Sequence, residues 1–348
     1  MDAPLQCRPG VGFRVRSLQQ LTFGRRQDCD PRHLLPNILG LPTKFQSWPA
    51  GSFRGSILPV RKAAAAQKHS LGAKFGKLGT VKIATWNVNS LRARADRVEA
   101  WLRRSDCDVL AIQETKCSDE NFPWELFERD GYEVAHFGLN QWNGVAIASR
   151  VGIEDVERTF MDQPGFGKAG KEAVQEARAI GATCGGVRVW SLYVPNGRAL
   201  NDEHMPYKLK WLSALRDHAE GLVTANPDSQ IALMGDWNIA PQDEDVWDID
   251  LFLSQGYTHV SPPERAAFHA FEAAGFADVV RPHTPGPGVY TYWDYTQLRF
   301  PKKEGMRIDF VLASPALAAR VTGAAIDREE RKGKGASDHA PVIVELAD

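Results

Sequence analysis

Six short segments of this 348-residue chain carry polar side chains that suit metal binding or proton transfer. Each segment stands at one end of a run rich in Val, Ile and Leu, where a predicted strand meets a loop. The residues are Asn87, Glu114, Tyr193, Asn196, Asp236, Asn238, Asp309, Asp338 and His339. In an antiparallel sheet, the end of one strand lies beside the start of its neighbour. The pattern therefore predicts that these groups gather at one rim of a sheet.

The oxygen-bearing members of this set indicate a site for a hard divalent cation. Carboxylate and amide oxygens suit Mg²⁺ or Mn²⁺ better than zinc, and such an ion would neutralise a phosphate oxygen or a leaving oxygen. The candidate ligands are Asn87, Glu114, Asp236, Asn238 and Asp338, with His339 beside them. Taken singly, Glu114 is explained equally well by pairing with Lys116, and Asn196 and Asn238 by turns.

The same residues predict acid–base and electrostatic roles on a phosphate. Asp236 would accept a proton from an attacking water, and Asn238 would orient that water or hydrogen-bond the developing charge. His339 would hold a phosphate oxygen, with Asp309 fixing its tautomer. Tyr193 would donate to the same phosphate or lose its proton beside the metal, although core packing also explains a tyrosine in an apolar run.

The composition is that of a globular protein with a sizeable core. Hydrophobic residues make up 43% of the chain and charged residues 24%, which is typical of this class. No apolar stretch approaches membrane-spanning length, so we do not expect this chain to be a membrane protein. The five cysteines have no CxxC spacing, which argues against a disulfide framework or a zinc site. They favour a reducing compartment such as the cytoplasm.

The net charge of -1 conceals two regions of opposite sign. Residues 1–80 hold 13 Lys and Arg against 3 Asp and no Glu, and the remainder holds 29 basic against 40 acidic residues. The first region has no clear hydrophobic period, so it predicts a basic extension without a core. A disordered arm, an upstream start codon and an organelle transit peptide all fit this composition. Residues 81–348 are the predicted catalytic domain.

The elements that must position the polar residues belong to this second region. Short runs of Val, Ile and Leu alternate with helical patterns at residues 95–104, 204–224 and 263–275. Gly185 and Gly186 lie between two such runs, which predicts a hairpin. Hairpins mixed with helical excursions favour an α/β sandwich of two mostly antiparallel sheets with helices outside.

Six motifs in this region resemble those of the exonuclease III family of DNA-repair nucleases. They are ATWNVNSLR (84–92), QETK (113–116), GDWNIA (235–240), YTYWDY (290–295), RIDF (307–310) and SDHAP (337–341). The resemblance covers about residues 81–346 in the family's order. It implies a four-layered α/β sandwich with a Mg²⁺-dependent site that cuts DNA phosphodiesters. It further implies incision 5′ to abasic sites and 3′-to-5′ removal of nucleotides.

The resemblance also assigns roles. It implies metal binding at Asn87, Glu114 and Asp338, a base or proton-transfer role at Asp236, and transition-state support at Asn238. The family's phenol falls on Tyr193, and its Asp-His partnership on Asp309 and His339. These roles agree with those expected from charge alone.

Substrate choice is expected to depend on an aromatic cluster. By resemblance, Tyr292 and Trp293 form the wall of a pocket for a flipped-out abasic sugar, with Met306 and Ile308 opposite. An apolar pocket of this kind would admit a sugar without its base. Met306 departs from the Trp of some relatives. Arg178 is a further phosphate-contact candidate by family position, and Asn196 is a further substrate-binding candidate.

Charge placement predicts the partner. Basic clusters at residues 299–307 and 328–334 precede Asp309 and Asp338, where they would hold phosphates on either side of the cut. The expected partner is double-stranded DNA with abasic sites or 3′ ends, bound by a monomer.

Two other functions fit parts of the pattern. A relative on the same scaffold that hydrolyses a phospholipid or an inositol phosphate would share the metal site and the Asp-His pair. The aromatic cluster and the basic loops favour DNA over these substrates. A non-catalytic nucleic-acid-binding module is the third hypothesis. Nothing supports it, because all predicted site residues are present.

Overall fold

The computed structural model describes residues 80–168 and 170–348. Residues 1–79, which carry the predicted basic extension, lie outside the described residues. No helix in the described part of the chain is long and apolar enough to cross a membrane.

The described residues form twelve strands in two six-stranded sheets. The strands are β1 (Val81–Asn87), β2 (Val109–Gln113), β3 (Glu133–Phe137), β4 (Val145–Ser149), β5 (Glu154–Glu157), β6 (Ala179–Cys184), β7 (Val187–Tyr193), β8 (Ile231–Asp236), β9 (Ala277–Asp278), β10 (Asp309–Ala313), β11 (Val321–Ile326) and β12 (Val342–Leu346). Sheet A has the order β11-β12-β1-β2-β4-β3, and sheet B has the order β5-β6-β7-β8-β10-β9.

Seven α-helices accompany these sheets within the same residues. They are α1 (Ala95–Ser105), α2 (Trp124–Glu128), α3 (His204–Ala225), α4 (Ile249–Gln255), α5 (Pro262–Ala273), α6 (Arg299–Lys302) and α7 (Pro315–Ala318). The sequence at the start of α5 shows how local interactions favour a helix at this position. Ser261 and Glu264 form a capping box, and prolines occupy the first turn, where a missing N–H costs nothing.

Each sheet is antiparallel except for one central parallel pair. Those pairs are β1 with β2 and β7 with β8. β6 and β7 form the predicted hairpin, in which Gly185 and Gly186 both have positive φ, as a tight two-residue turn requires.

Three apolar clusters separate four layers, so the predicted four-layered α/β sandwich is confirmed. Ile83 and Ile147 of sheet A meet Met234 of sheet B in the central cluster. On the outer face of sheet A, the Trp86 ring lies 5.6 Å from that of Trp101 in α1. The outer face of sheet B packs on α3 and α5 through residues such as Trp190, Trp211, Phe268 and Phe310. The period-two alternation of the strands divides the side chains between these clusters.

Towards one edge, the space between the sheets becomes polar. The Thr85 hydroxyl donates to Gln113 Oε1 at 3.1 Å, and Gln113 Nε2 donates to Ser191 Oγ at 3.0 Å. All three side chains are buried, and each therefore needs such a partner. This chain of hydrogen bonds joins sheet A to sheet B directly behind the candidate site.

Candidate active site

Strand register brings the polar strand ends together at this edge. In sheet B, Tyr193 pairs with Asp236 across the parallel strands, and Asp236 pairs with Asp309 across the antiparallel ones. In sheet A, Asn87 ends β1 and Glu114 directly follows β2. The site is therefore built from both sheets.

The Asn87 amide links the two sheets. Its Nδ2 donates to Glu114 Oε1 at 2.8 Å and to Asp236 Oδ2 at 3.0 Å. Its Oδ1 accepts the backbone N–H of Asn89 at 3.0 Å. One lone pair of the amide oxygen is thus engaged by the turn at Asn89, and metal binding by Asn87 stays a prediction.

Glu114, Asp236 and His339 form the group best placed to hold a metal ion. One ligand atom from each lies within 4.8 Å of the others. Two carboxylates suit a hard divalent cation, and an added imidazole is tolerated better by Mn²⁺ than by Mg²⁺. The donor set therefore fits the predicted divalent cation.

Asp338, also predicted as a ligand, is not part of this group, and metal binding by Asn238 stays a prediction. Asp338 Oδ1 accepts a hydrogen bond from Asn89 Nδ2 at 3.1 Å. Glu114 does pair with Lys116, at 2.6 Å, as its alternative reading expected. Burial alone would raise the pKa of Glu114, but the Lys116 ammonium holds this pKa below its ordinary value.

His339 is held between two carboxylates. Its Nδ1 lies 2.9 Å from Asp309 Oδ2, and its Nε2 lies 3.7 Å from Asp236 Oδ2. Burial opposes the charged imidazole, yet Asp309 and Asp236 outweigh burial and raise the pKa of His339 to about 10. The imidazole is therefore a cation at neutral pH, and it would have to lose its Nε2 proton before it could join Glu114 and Asp236 as a metal ligand.

The segment before β12 fixes this imidazole. The Ser337 hydroxyl donates to the Asn87 carbonyl at 2.7 Å, and Trp86 Nε1 donates to the His339 carbonyl at 3.2 Å. The loop is thus tied to the end of β1, next to the Asn87 side chain.

Asp236 and Tyr193 are both shifted toward their protonated forms. Burial raises the pKa of Asp236 to about 7, with Asp309 and Glu114 adding to the rise and His339 opposing it. Burial also raises the pKa of Tyr193 well above its ordinary value, and the Glu114 carboxylate adds to this. Tyr193 is thus a neutral hydrogen-bond donor across the physiological pH range.

Strained backbone is concentrated at this rim. Asn89, Glu114, Lys116 and Asn238 all have left-handed φ values, between +44° and +54°. Each such residue costs about 1–3 kcal/mol unless its surroundings hold it. Here Ser90 N–H donates to the Glu114 carbonyl at 2.7 Å, which closes the turn around two of these positions.

Comparison with known proteins agrees with this geometry. The model of the endonuclease/exonuclease/phosphatase family matches residues 84–339. The chain belongs to this family. The resemblance stated from the motifs is confirmed, and the protein is a phosphodiester hydrolase by class.

Named relatives within the family include nucleases. Exodeoxyribonuclease III of Haemophilus influenzae is 31% identical over 272 residues, which are 76% of this chain and 100% of that protein. The structure of an AP endonuclease from Archaeoglobus fulgidus has a TM-score of 0.70 at 34% identity, and covers 77% of this chain and 99% of its own. A 3′–5′ exonuclease from Neisseria meningitidis has a TM-score of 0.70 at 35% identity, with coverage of 77% and 100%.

A pair of asparagines lies beside Asp236. Asn196 Nδ2 donates to Asn238 Oδ1 at 2.9 Å, and Asn238 Nδ2 donates to the Val194 carbonyl at 3.0 Å. The Asn238 N–H donates to Asp236 Oδ1 at 2.9 Å. Both residues do form turns, as their alternative reading expected, and the turns aim their amides at each other.

Two residues of this region escaped the sequence-based reasoning. His259 Nε2 lies 3.2 Å from Asn238 Oδ1, and burial, together with the Lys208 ammonium, lowers the pKa of His259 to about 4. No sequence signal marks His259. Lys208, in contrast, occupies the apolar stripe of α3 between Met205 and Trp211, and a lysine there is a detectable anomaly.

The predicted sugar pocket is present in part. Tyr292 and Met306 line a cavity of about 420 Å³, together with Trp247, Phe252 and His259. The Tyr292 ring lies 4.9 Å from the His339 ring, so the cavity adjoins the site. Ile308 packs behind Met306 in the same apolar cluster.

The placement of Trp293 in the pocket wall is corrected. Its side chain is 1% exposed and packs with Tyr290 and Ala340 in a separate core cluster. Short backbone bridges join Tyr292 to Met306 and to His339. In this extended stretch the next residue faces the opposite side, which sends Trp293 into the core.

The basic residues divide into contacts with the site and structural ion pairs. The Arg178 guanidinium lies 4.8 Å above the Tyr193 ring, beside a cavity of about 520 Å³. Arg307, in contrast, is 1% exposed and pairs with Asp245 at 2.7 Å and Asp278 at 2.6 Å. The expectation that Arg307 binds a phosphate is therefore wrong, because its guanidinium is buried and paired with two carboxylates. Lys302, Lys303, Lys332 and Lys334 remain exposed.

Proposed function

We propose that this protein is a Mg²⁺-dependent DNA-repair phosphodiesterase, with Mn²⁺ able to substitute. In this proposal it incises duplex DNA 5′ to abasic sites and removes nucleotides from 3′ ends. The observation that carries the proposal is the convergence of Glu114, Asp236 and His339, with Asp309 behind the imidazole. The printed names of the relatives, an exodeoxyribonuclease III and an AP endonuclease, support this substrate class.

Each side chain of the site has a task in phosphodiester hydrolysis. The divalent cation, when bound by Glu114 and Asp236, supplies charge neutralisation at the phosphate and the leaving oxygen. The His339 imidazolium, oriented by Asp309, binds a non-bridging phosphate oxygen. Asp236 takes the proton of the attacking water.

Neutral donors complete the transition-state contacts. The Tyr193 phenol donates to the phosphate, since its raised pKa keeps the proton in place. The Asn238 amide supports the attacking water or the developing negative charge. Preorganised donors of this kind need no rearrangement during the reaction.

Substrate choice follows from the surroundings of the site. The cavity beside Tyr292 and Met306 accepts a sugar that has lost its base, whereas the side with Arg178 and Asn196 contacts the DNA strand. The exposed lysines of the two basic loops add non-specific phosphate contacts. The protein acts as a monomer in the cytoplasm, where its DNA substrate is found.

The decisive experiment uses two end-labelled duplexes, one with an abasic analogue and one with a recessed 3′ end. With Mg²⁺, we expect a single incision 5′ to the lesion and a ladder of shortened 3′ ends. Asp236→Asn should lower both rates by at least about 10³-fold. Near-normal cutting by this variant refutes the site assignment. Preferential turnover of sphingomyelin or an inositol phosphate refutes DNA as the substrate, and binding of abasic DNA without cleavage indicates a non-catalytic module.

A further inference from the structure

A buried lysine joins the two turns that carry the site asparagines. Lys208 Nζ donates to the backbone carbonyl of Asn238 at 2.6 Å and to that of Asn196 at 3.2 Å. Its third contact is Glu264 Oε1 at 2.5 Å. An ammonium has three N–H donors, and here all three have a partner.

The partner carboxylate connects a third segment to the same point. Glu264 Oε1 also accepts the backbone N–H of His259 at 3.0 Å, and Oε2 accepts the Ser261 hydroxyl at 2.6 Å. The His259 ring in turn reaches Asn238 Oδ1. Three separate chain segments, with side chains that meet at the Asn238 amide, are therefore anchored on one ion pair.

Stability is a poor explanation for this arrangement. Both side chains are completely inaccessible to solvent, and a buried ion pair generally stabilises a fold no better than apolar residues of the same size. Asn238, moreover, has a left-handed φ of +50°. Such a conformation persists only where surrounding contacts hold it, and the Lys208 ammonium binds the carbonyl of that residue.

We propose that Lys208, held in place by Glu264, is a positioning residue that sets the orientation of the Asn196 and Asn238 amides for the reaction. The inference rests on the proposed function, because it assigns the asparagines to the transition state. Without the ammonium, both carbonyls lose their donor and the turn at Asn238 is free to relax. A displacement of about 1 Å at a reacting centre lowers the rate by about 10²-fold.

The test removes the charges without leaving one of them unpaired. In the double variant Lys208→Met with Glu264→Gln, the glutamine keeps an acceptor for the His259 N–H. We expect kcat on the cleaved duplex to fall by about 10²-fold while KM changes by less than about threefold. The single variant Lys208→Met is expected to lower Tm by about 10 °C, because it strands a buried carboxylate. The double variant should recover most of that loss.

A matched control and a cycle separate positioning from simple structural damage. Lys210→Met removes an exposed lysine from the same helix and should leave kcat unchanged. In an Asn238→Ala background, the double variant should cost less than about tenfold, because the amide it positions is already gone. An undiminished 10²-fold loss in that background overturns the proposal. So does a double variant with wild-type kcat.

A second readout does not depend on DNA cleavage. In protein labelled with ¹⁵N-asparagine, the side-chain amide signals of Asn196 and Asn238 should shift or broaden in the double variant and stay unchanged in Lys210→Met. Unchanged Asn238 and Asn196 signals in the double variant overturn the inference, whatever the wild-type protein cleaves. If these signals shift in the double variant but the wild-type protein cuts neither duplex, the positioning role is supported. In that case only the proposed function is refuted.

Discussion

Gly235 offers the sharpest test of how strand packing sets the site. It lies in β8 directly before Asp236, and its φ is +152°. A Cβ at this position would lie 1.9 Å from the Leu192 carbonyl oxygen of β7, whereas real Cβ contacts are essentially never shorter than 3.0 Å. In Gly235→Ala the two strands must therefore separate by about 1.1 Å, the difference between these distances. The next pair in the ladder is Tyr193 with Asp236, so the same movement separates the phenol from the carboxylate.

Two effects are expected from this separation. Overpacking and the backbone conformation together should lower the free energy of unfolding by about 3 kcal/mol. Displacement of Asp236 should lower kcat by about 10²-fold. Urea unfolding measures the first quantity, and single-turnover cleavage of the abasic duplex measures the second.

Gly186 provides the matched control. It lies at the opposite end of β7, has a φ of +82°, and has nothing within 4 Å of an added Cβ. Gly186→Ala should therefore cost about 1 kcal/mol of stability for its left-handed conformation and leave kcat unchanged. If Gly235→Ala matches this control in both measurements, the strand-contact reasoning is refuted.

Three further predictions concern the protonation states and the metal. Tyr193→Phe should lower kcat by about 10²-fold, and the wild-type rate should show no tyrosine ionisation up to pH 9, because the pKa of this phenol is raised; an ionisation below pH 9 in the profile would contradict this. Asp309→Asn removes the carboxylate that does most to raise the pKa of His339, so this pKa should fall. The variant then loses its imidazolium as the pH rises, and the ratio of variant to wild-type rate should fall between pH 7 and 9. A constant ratio would show that the Asp309–His339 pair has no role in catalysis. EDTA should abolish cleavage, and Mg²⁺ at ten times its Kd should stabilise the wild type by about 1.4 kcal/mol but not Glu114→Gln; equal stabilisation of the two in thermal unfolding would place the ion elsewhere.

The sequence was a good guide where alternation and register decide the outcome. Val, Ile and Leu runs define the strands, and their pairing places Tyr193, Asp236 and Asp309 in one row. The layers follow from the two faces of each strand. The motif order supplied the partnership of Asp309 with His339, which the structure places at 2.9 Å.

The sequence was a poor guide where distant partners decide the outcome. Arg307 precedes a site residue like any loop cation, but Asp245 binds it from 62 residues away. The Asn87 amide is turned by a backbone N–H two residues on, which composition does not reveal. Trp293 follows Tyr292 in an irregular stretch, where the buried face depends on the bridges from Tyr292 to Met306 and His339. Lys208 was visible as an anomaly on an apolar stripe, but its partners were not.

The interior position of β12 in sheet A has a consequence for biosynthesis. β12 pairs with β1 on one side and β11 on the other, and Ser337 bonds to the Asn87 carbonyl across 250 residues. At about 5–20 residues per second, roughly 10–50 s pass between translation of β1 and translation of the segment that completes it. During this interval β1 keeps an unpaired edge that is open to wrong partners, and the imidazole of His339 has not yet been made. If the proposed site is correct, we expect a nascent chain to be unable to cut nucleic acid until β12 has been inserted.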